Sequence, residues 1–135
     1  MDIRRLSDDF SVSPQIAIGD LQTVWDLGFR TIICNRPDGE DAGQPDVADV
    51  EAAARAIGFE FAHIPADSGK AAMPHAIETR RTLANLPKSV FAYCRSGTRC
   101  TVIWSLMMIS ELEANEILAA TAAAGYDMSP LIAAD

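Results

Sequence analysis

Cys94 and Arg99 stand at the two ends of the hexapeptide CRSGTR, with Gly97 between them. A thiol, a glycine and a guanidinium at this spacing suit one kind of chemistry: thiolate attack on an electrophile that carries negative charge. The thiolate is the nucleophilic form of cysteine, and nearby positive charge or amide dipoles make it available at neutral pH. Gly97 permits backbone angles that other residues resist, so the four intervening residues can turn tightly. The amides of Arg95, Ser96, Gly97, Thr98 and Arg99 can then converge as an anion-binding nest. A helix that starts near Arg99 adds the positive end of its dipole at the same point. Arg99 adds a planar, two-pronged donor. The alternative is an inert core thiol at the end of an apolar strand. The order apolar strand, Cys, Gly, Arg, apolar helix favours the reactive reading.

For that chemistry the hexapeptide must join a strand to a helix. SVFAY (89–93) reads as a strand, and CTVIWSLMMISEL (100–112) is apolar nearly all round, which predicts a central buried helix. Further strands are expected near 10–12, at 30–35 (RTIICN) and at 59–64 (FEFAHI). Helices are expected over 19–27, 46–57, 75–86 and 113–125, with Gly28, Gly58 and Gly125 as C-terminal stops and a short last helix at 129–134. The stretches 36–46 and 65–74, dense in Gly, Pro and Asp, are loops. This alternation predicts an α/β fold: a central, mainly parallel sheet of about four strands flanked by helices. In such sheets ligands bind outside the carboxyl ends of the strands. Three strand ends then share one rim, carrying Cys34–Arg36, His63–Asp67 and Cys94–Arg99.

The chain of 135 residues suits one domain, 1–135. Its formal net charge is −8, with no basic patch, so no nucleic-acid partner is expected. Any anionic ligand must be held by a local site rather than by the overall field. Three cysteines, an odd number, in a chain large enough to need no staples favour a reducing compartment. No leader segment and no membrane-length apolar run is visible, so a cytoplasmic protein with no membrane partner is expected.

The segments LGFRTIICNRPDGE (27–40), ARAIGFEFAHIP (54–65) and CRSGTR (94–99) resemble the bacterial family DUF442. That family is also known as the phosphatase-like domain of β-lactamase-hydrolase-like proteins, and under another name as a family sulfur transferase. The resemblance covers about residues 5–125. It implies a fold similar to the dual-specificity protein tyrosine phosphatases, and a cysteine-dependent hydrolase of phosphate monoesters. Under it, Cys94 is the nucleophile that forms a phosphocysteine, Arg99 binds the transferring phosphoryl group, and the amides of Arg95 to Arg99 hold its oxygens. Asp67, in HIPAD, resembles the general acid in position; otherwise it is a turn former before Ser68 and Gly69. No metal or cofactor is required. The implied partner is a phosphorylated or otherwise anionic small molecule or protein, and the oligomeric state is left open.

The loop also resembles that of the rhodaneses. It has four residues between Cys and Arg where the phosphatase signature has five. Tyr93 stands where phosphatases carry His, and Cys100 where they carry Ser or Thr. A sulfurtransferase with a persulfide on Cys94 is therefore the second reading, and a non-catalytic anion- or partner-binding module the third. Arg36 either adds positive potential or pairs with Glu40, the pairing being favoured. His63 reads as a structural histidine. Cys34 and Cys100 read as small core residues, with a redox disulfide to Cys94 as the alternative.

Overall fold

The computed structural model describes residues 1–133. Strand β1 (Arg4–Ser7) pairs antiparallel with β2 (Phe10–Ser13) at one edge of a five-stranded sheet. The other strands are β3 (Thr31–Cys34), β4 (Glu60–His63) and β5 (Val90–Tyr93). Their order across the sheet is β1-β2-β5-β3-β4, and β2, β5, β3 and β4 all run parallel. The registers align the carboxyl ends: Ser13 lies beside Tyr93, Tyr93 beside Cys34, and Cys34 beside His63.

Side chains alternate across a strand, so each parallel strand feeds both faces of the sheet. Ile32, Cys34, Phe91 and Tyr93 point to one face. There they meet Leu21 and Val24 of helix α1 (Leu21–Asp26), and Val47, Val50 and Ala54 of α2 (Val47–Ile57). Val12, Ile33, Ala92 and Cys94 point to the other. That face is closed by Cys100 and Trp104 of α4 (Thr98–Met108) and by Ile117 of α5 (Ala114–Ala123). Helix α3 (Met73–Leu83) lies outside α4, packing Ala76 against Ile103 and Met107. Ile103 and Trp104 are each 1% exposed. Burying an apolar side chain of that size is worth roughly 1.5–3 kcal/mol, so α4 is anchored firmly behind the loop it follows.

The sheet holds five strands where about four were expected. The extra one, β1, is the short edge strand RRLS, whose arginines and serine give no apolar signal. Helix α4 begins at Thr98, two residues earlier than its apolar run, because Gly97 in a left-handed conformation (φ 87°) is its N-cap. Helix α3 likewise begins at Met73, with Pro74 in its first turn, where the missing N–H costs nothing. The last helix expected, at 129–134, is a turn over 129–131; residue 134 lies outside the described residues. Among the described residues no helix is long and apolar enough to cross a membrane.

Candidate active site

Four strand ends, not three, meet at the rim. After β5, the Cys94 N–H donates to Ser13 O at 3.3 Å, and Gln15 N–H donates to Arg95 O at 3.2 Å, which ties the loop to the end of β2. After β3, Asn35 N–H donates to Tyr93 O at 2.9 Å, and Asn35 O accepts from Ala66 N at 3.1 Å. The Asn35 side chain also donates to Ile64 O at 2.9 Å. The loops that follow β2, β3, β4 and β5 are thus stitched to one another through backbone groups.

Residues 94–99 form a nest because their carbonyls are held from behind. Arg95 O is taken by Gln15, Ser96 O by the Tyr126 hydroxyl at 2.9 Å, and Gly97 O by the Thr101 N–H and hydroxyl at 3.0 and 2.8 Å. In a trans peptide the C=O and the next N–H point opposite ways. Pinning Arg95 O and Ser96 O outward therefore turns the Ser96 and Gly97 amides inward. Gly97 N–H reaches Cys94 Sγ at 3.1 Å.

Cys94 is fully buried. Burial alone would push its thiol up, yet it is held down to about 5. The largest cause is a hydrogen bond from the Cys100 thiol, joined by backbone N–H groups of Cys100, Gly97 and Ser96. Cys100, also fully buried, is driven well up by burial and by the neighbouring Cys94, so it keeps its proton to donate. Cys94 and Cys100 thus lie together on one face of the sheet. Cys34 lies on the other face, at 1% exposure, giving its S–H to Arg36 O at 3.4 Å with burial raising its pKa. The buried Tyr93 hydroxyl lies against the Cys34 sulfur, without a nitrogen or oxygen partner.

Arg99 is 6% exposed and oriented by three acceptors. Its Nη1 donates to Glu40 Oε2 at 2.8 Å and to Ala66 O at 2.9 Å; its Nη2 donates to Glu40 Oε1 at 2.8 Å. A guanidinium has five N–H donors in one plane. With three engaged, Nε–H and the second Nη2–H are left side by side along one edge. That parallel pair is the fork that grips two oxygens of a tetrahedral anion. Arg36 does pair with Glu40, Nε to Oε1 at 2.8 Å, and its other nitrogens reach Gln15 at 3.0 Å and Asp41 at 2.6 Å. Glu40 therefore bridges two buried arginines, and the Arg99 hydrogen bonds, with Arg36 behind, hold its carboxyl down at about 2. Arg95 points outward, its Nε 3.6 Å from Asp41.

Asp67 is exposed and directly follows Ala66, whose carbonyl binds Arg99. Its own carbonyl accepts from Lys70 N at 2.9 Å, closing the turn through Gly69. His63 lies at the exposed end of β4 with Nε2 2.9 Å from Arg36 O; a carbonyl only accepts, so Nε2 carries the proton and the ring is structurally satisfied. Three contributors were not read from the sequence in these roles: Gln15, Glu40 as the Arg99 anchor, and Tyr126. Only Glu40 had a local signal, its four-residue spacing from Arg36.

Residues 2–114 match the family described as "Beta-lactamase hydrolase-like protein, phosphatase-like domain". The chain belongs to that family. The beta-lactamase hydrolase-like protein of Agrobacterium fabrum is 30% identical over 102 residues, 76% of this chain and 24% of that protein. The phosphatase-like domain thus spans about a quarter of the length of the curated relatives it matches. A crystal structure from Neisseria meningitidis Z2491, provisionally named a phosphatase, superposes with a TM-score of 0.84 at 32% identity, over 96% of this chain and 93% of that one. Tk-PTP in its active form gives a TM-score of 0.68 at 20% identity, over 88% of this chain and 81% of that one, which speaks to the fold alone. The sheet and its flanking helices are those of the tyrosine-phosphatase-like fold.

Proposed function

We propose that this phosphatase-like domain hydrolyses phosphate monoesters through a phosphocysteine on Cys94. The observation that carries the reading is the free Nε–Nη2 edge of Arg99, anchored by Glu40 and Ala66, beside a sulfur whose charge is stabilised by loop amides. The Cys94 thiolate attacks phosphorus, the ester P–O bond breaks, and Asp67 gives its proton to the departing oxygen. The amides of Arg95, Ser96, Gly97, Thr98 and Arg99 and the Arg99 fork hold the three non-bridging oxygens as charge spreads over them. Water then attacks the phosphocysteine and loses a proton to Asp67, and the P–S bond breaks to return the thiolate and release phosphate. The Cys100 S–H, beside Cys94 on the same face of the sheet, stabilises the departing thiolate in that second step. The substrate is a phosphorylated or otherwise anionic small molecule or protein, and the setting proposed for it is the cytoplasm. No cofactor takes part.

A second reading has its own support in the short loop: the Gly97 amide closes directly on the sulfur at 3.1 Å, a cradle also proportioned for a persulfide. Hydrolysis of p-nitrophenyl phosphate is set against sulfur transfer from thiosulfate to cyanide, each with Cys94→Ser as control. Phosphate release that Cys94→Ser abolishes is the expected result. Thiocyanate formation without phosphate release would replace it with the sulfur reading. Wild type and Cys94→Ser equally idle in both assays would leave only an anion- or partner-binding module.

A further inference from the structure

Tyr126 lies in the segment after α5, beyond residues 2–114 that carry the family match. It nevertheless touches the reactive loop. We infer that Tyr126 is a positioning residue for the anion cradle: its hydroxyl fixes the Ser96–Gly97 peptide so that the Gly97 amide stays aimed at Cys94. The inference rests on Cys94 being the reactive centre.

Three observations support it. The first is directional. The Tyr126 hydroxyl donates to Ser96 O at 2.9 Å, while the N–H of the same peptide unit reaches Cys94 Sγ at 3.1 Å on the opposite side. Holding the carbonyl from behind holds the amide forward. The second is a close approach. A Cβ at position 97 would stand 2.1 Å from the Tyr126 hydroxyl oxygen and 3.1 Å from the ring carbon that bears it. Glycine is therefore needed twice here, for its φ of 87° and to admit the tyrosine. The third is that the tyrosine is itself braced. It is 8% exposed, its N–H donates to Thr121 O at 2.9 Å, and the Arg4 guanidinium covers its ring at 5.1 Å. Arg4 in turn donates to Ala124 O at 3.2 Å and pairs with Asp2 at 2.9 Å. A strut thus runs from β1 through Arg4 and Tyr126 to the loop. Burial raises the phenol pKa, which keeps it a donor.

The groups that act on the Cys94 charge are Cys100 and Arg99 from α4, Cys34 from β3, and Tyr126 itself. Tyr126→Phe removes one hydroxyl and leaves Cys100, Arg99 and Cys34 in place. In that variant the pH midpoint for iodoacetamide alkylation of Cys94 should rise by about half a pH unit or more, because the amides hold the thiolate less well. Turnover of p-nitrophenyl phosphate should fall about tenfold in kcat, with KM changed less than about threefold. Gly97→Ala should be far slower than wild type, and adding Tyr126→Phe should raise its rate, since the clashing oxygen is gone. Where Gly97→Ala does not fold, recovery of its circular dichroism in the double variant replaces the rate comparison. A Tyr126→Phe protein with the wild-type alkylation midpoint, or a double variant no better than Gly97→Ala alone, overturns the inference. Alkylation is read without turnover. A wild-type protein that releases no phosphate therefore refutes the phosphatase reading and leaves this test standing.

Discussion

Cys34 ends β3 and Cys94 directly follows the neighbouring β5, both are essentially unexposed, and each leads into a loop bearing arginine. Their thiols are nonetheless driven in opposite directions, Cys34 up and Cys94 down to about 5. Burial is common to both and opposes ionisation in both. The difference lies in the donors each sulfur meets: at Cys34 burial outweighs the lowering by the Tyr93 hydroxyl and the Arg36 backbone, whereas at Cys94 the Cys100 thiol and three backbone N–H groups outweigh burial. Cys34 meets a carbonyl oxygen and must donate to it; Cys94 meets N–H groups and a thiol proton and accepts from them. What a strand-end cysteine can do is therefore decided by the turn that follows it. After β3 the chain leaves by way of Pro37 and a long loop; after β5 it turns back through Gly97 into a helix.

The contrast is tested most severely by exchanging each sulfur for oxygen. Cys94→Ser should lower kcat for p-nitrophenyl phosphate by about 10⁴-fold or more, while Cys34→Ser should stay within about threefold of wild type. Iodoacetamide at pH 7 should label Cys94 in folded protein and spare Cys34, as read by peptide mass mapping. Labelling of Cys34 in preference would break the comparison. A smaller loss is expected at the two arginines. Arg99→Lys cannot present the parallel fork and should lose about 10²- to 10³-fold in kcat/KM, whereas Arg36→Lys, which reaches the nest only through Glu40, Gln15 and Asp41, should lose about tenfold or less. Asp67→Asn should cost about 10- to 100-fold with an alkyl phosphate and less with p-nitrophenyl phosphate, whose leaving group needs little protonation. Equal losses with both esters would remove Asp67 from the proton-transfer role.

The smallest effect concerns stability. Glu40 is held at about 2 in the folded chain against 4.5 for the free group. Its folded value is depressed, so its contribution is complete above about pH 4.5 and is lost as pH falls toward 2. Glu40→Gln should flatten the acid slope of urea unfolding in that window by about 1–2 kcal/mol, since the pair is partly screened by solvent. An unchanged slope would mean that Arg99 is oriented without help from the carboxylate.

The strand–turn–helix junction was legible because its parts are contiguous: apolar strand, Cys94, Gly97, Arg99 and apolar helix follow one another within the stretch 89–108. The parallel sheet was legible from its apolar runs and glycine stops. The rest depends on contacts between distant residues, which leave no periodic trace. Strand β1 is polar and gains its place by pairing with β2. Gln15 meets Arg36 and Arg95 across the ends of three strands. Tyr126 reaches Ser96 across thirty residues. Glu40 could be tied to Arg36 by spacing, but its second arginine lies 59 positions away.

Hydrogen-bonded on both sides by β2 and β3, β5 should be among the last strands to exchange its amide protons, and Cys94 directly follows it. The segments 37–46 and 65–72, which reach Arg99 through Glu40 and Ala66, leave from β3 and β4 instead. Those segments carry Glu40 and Ala66, the residues that orient Arg99, so a change of loop length that moved either one would re-aim the Arg99 fork while leaving β5 in place.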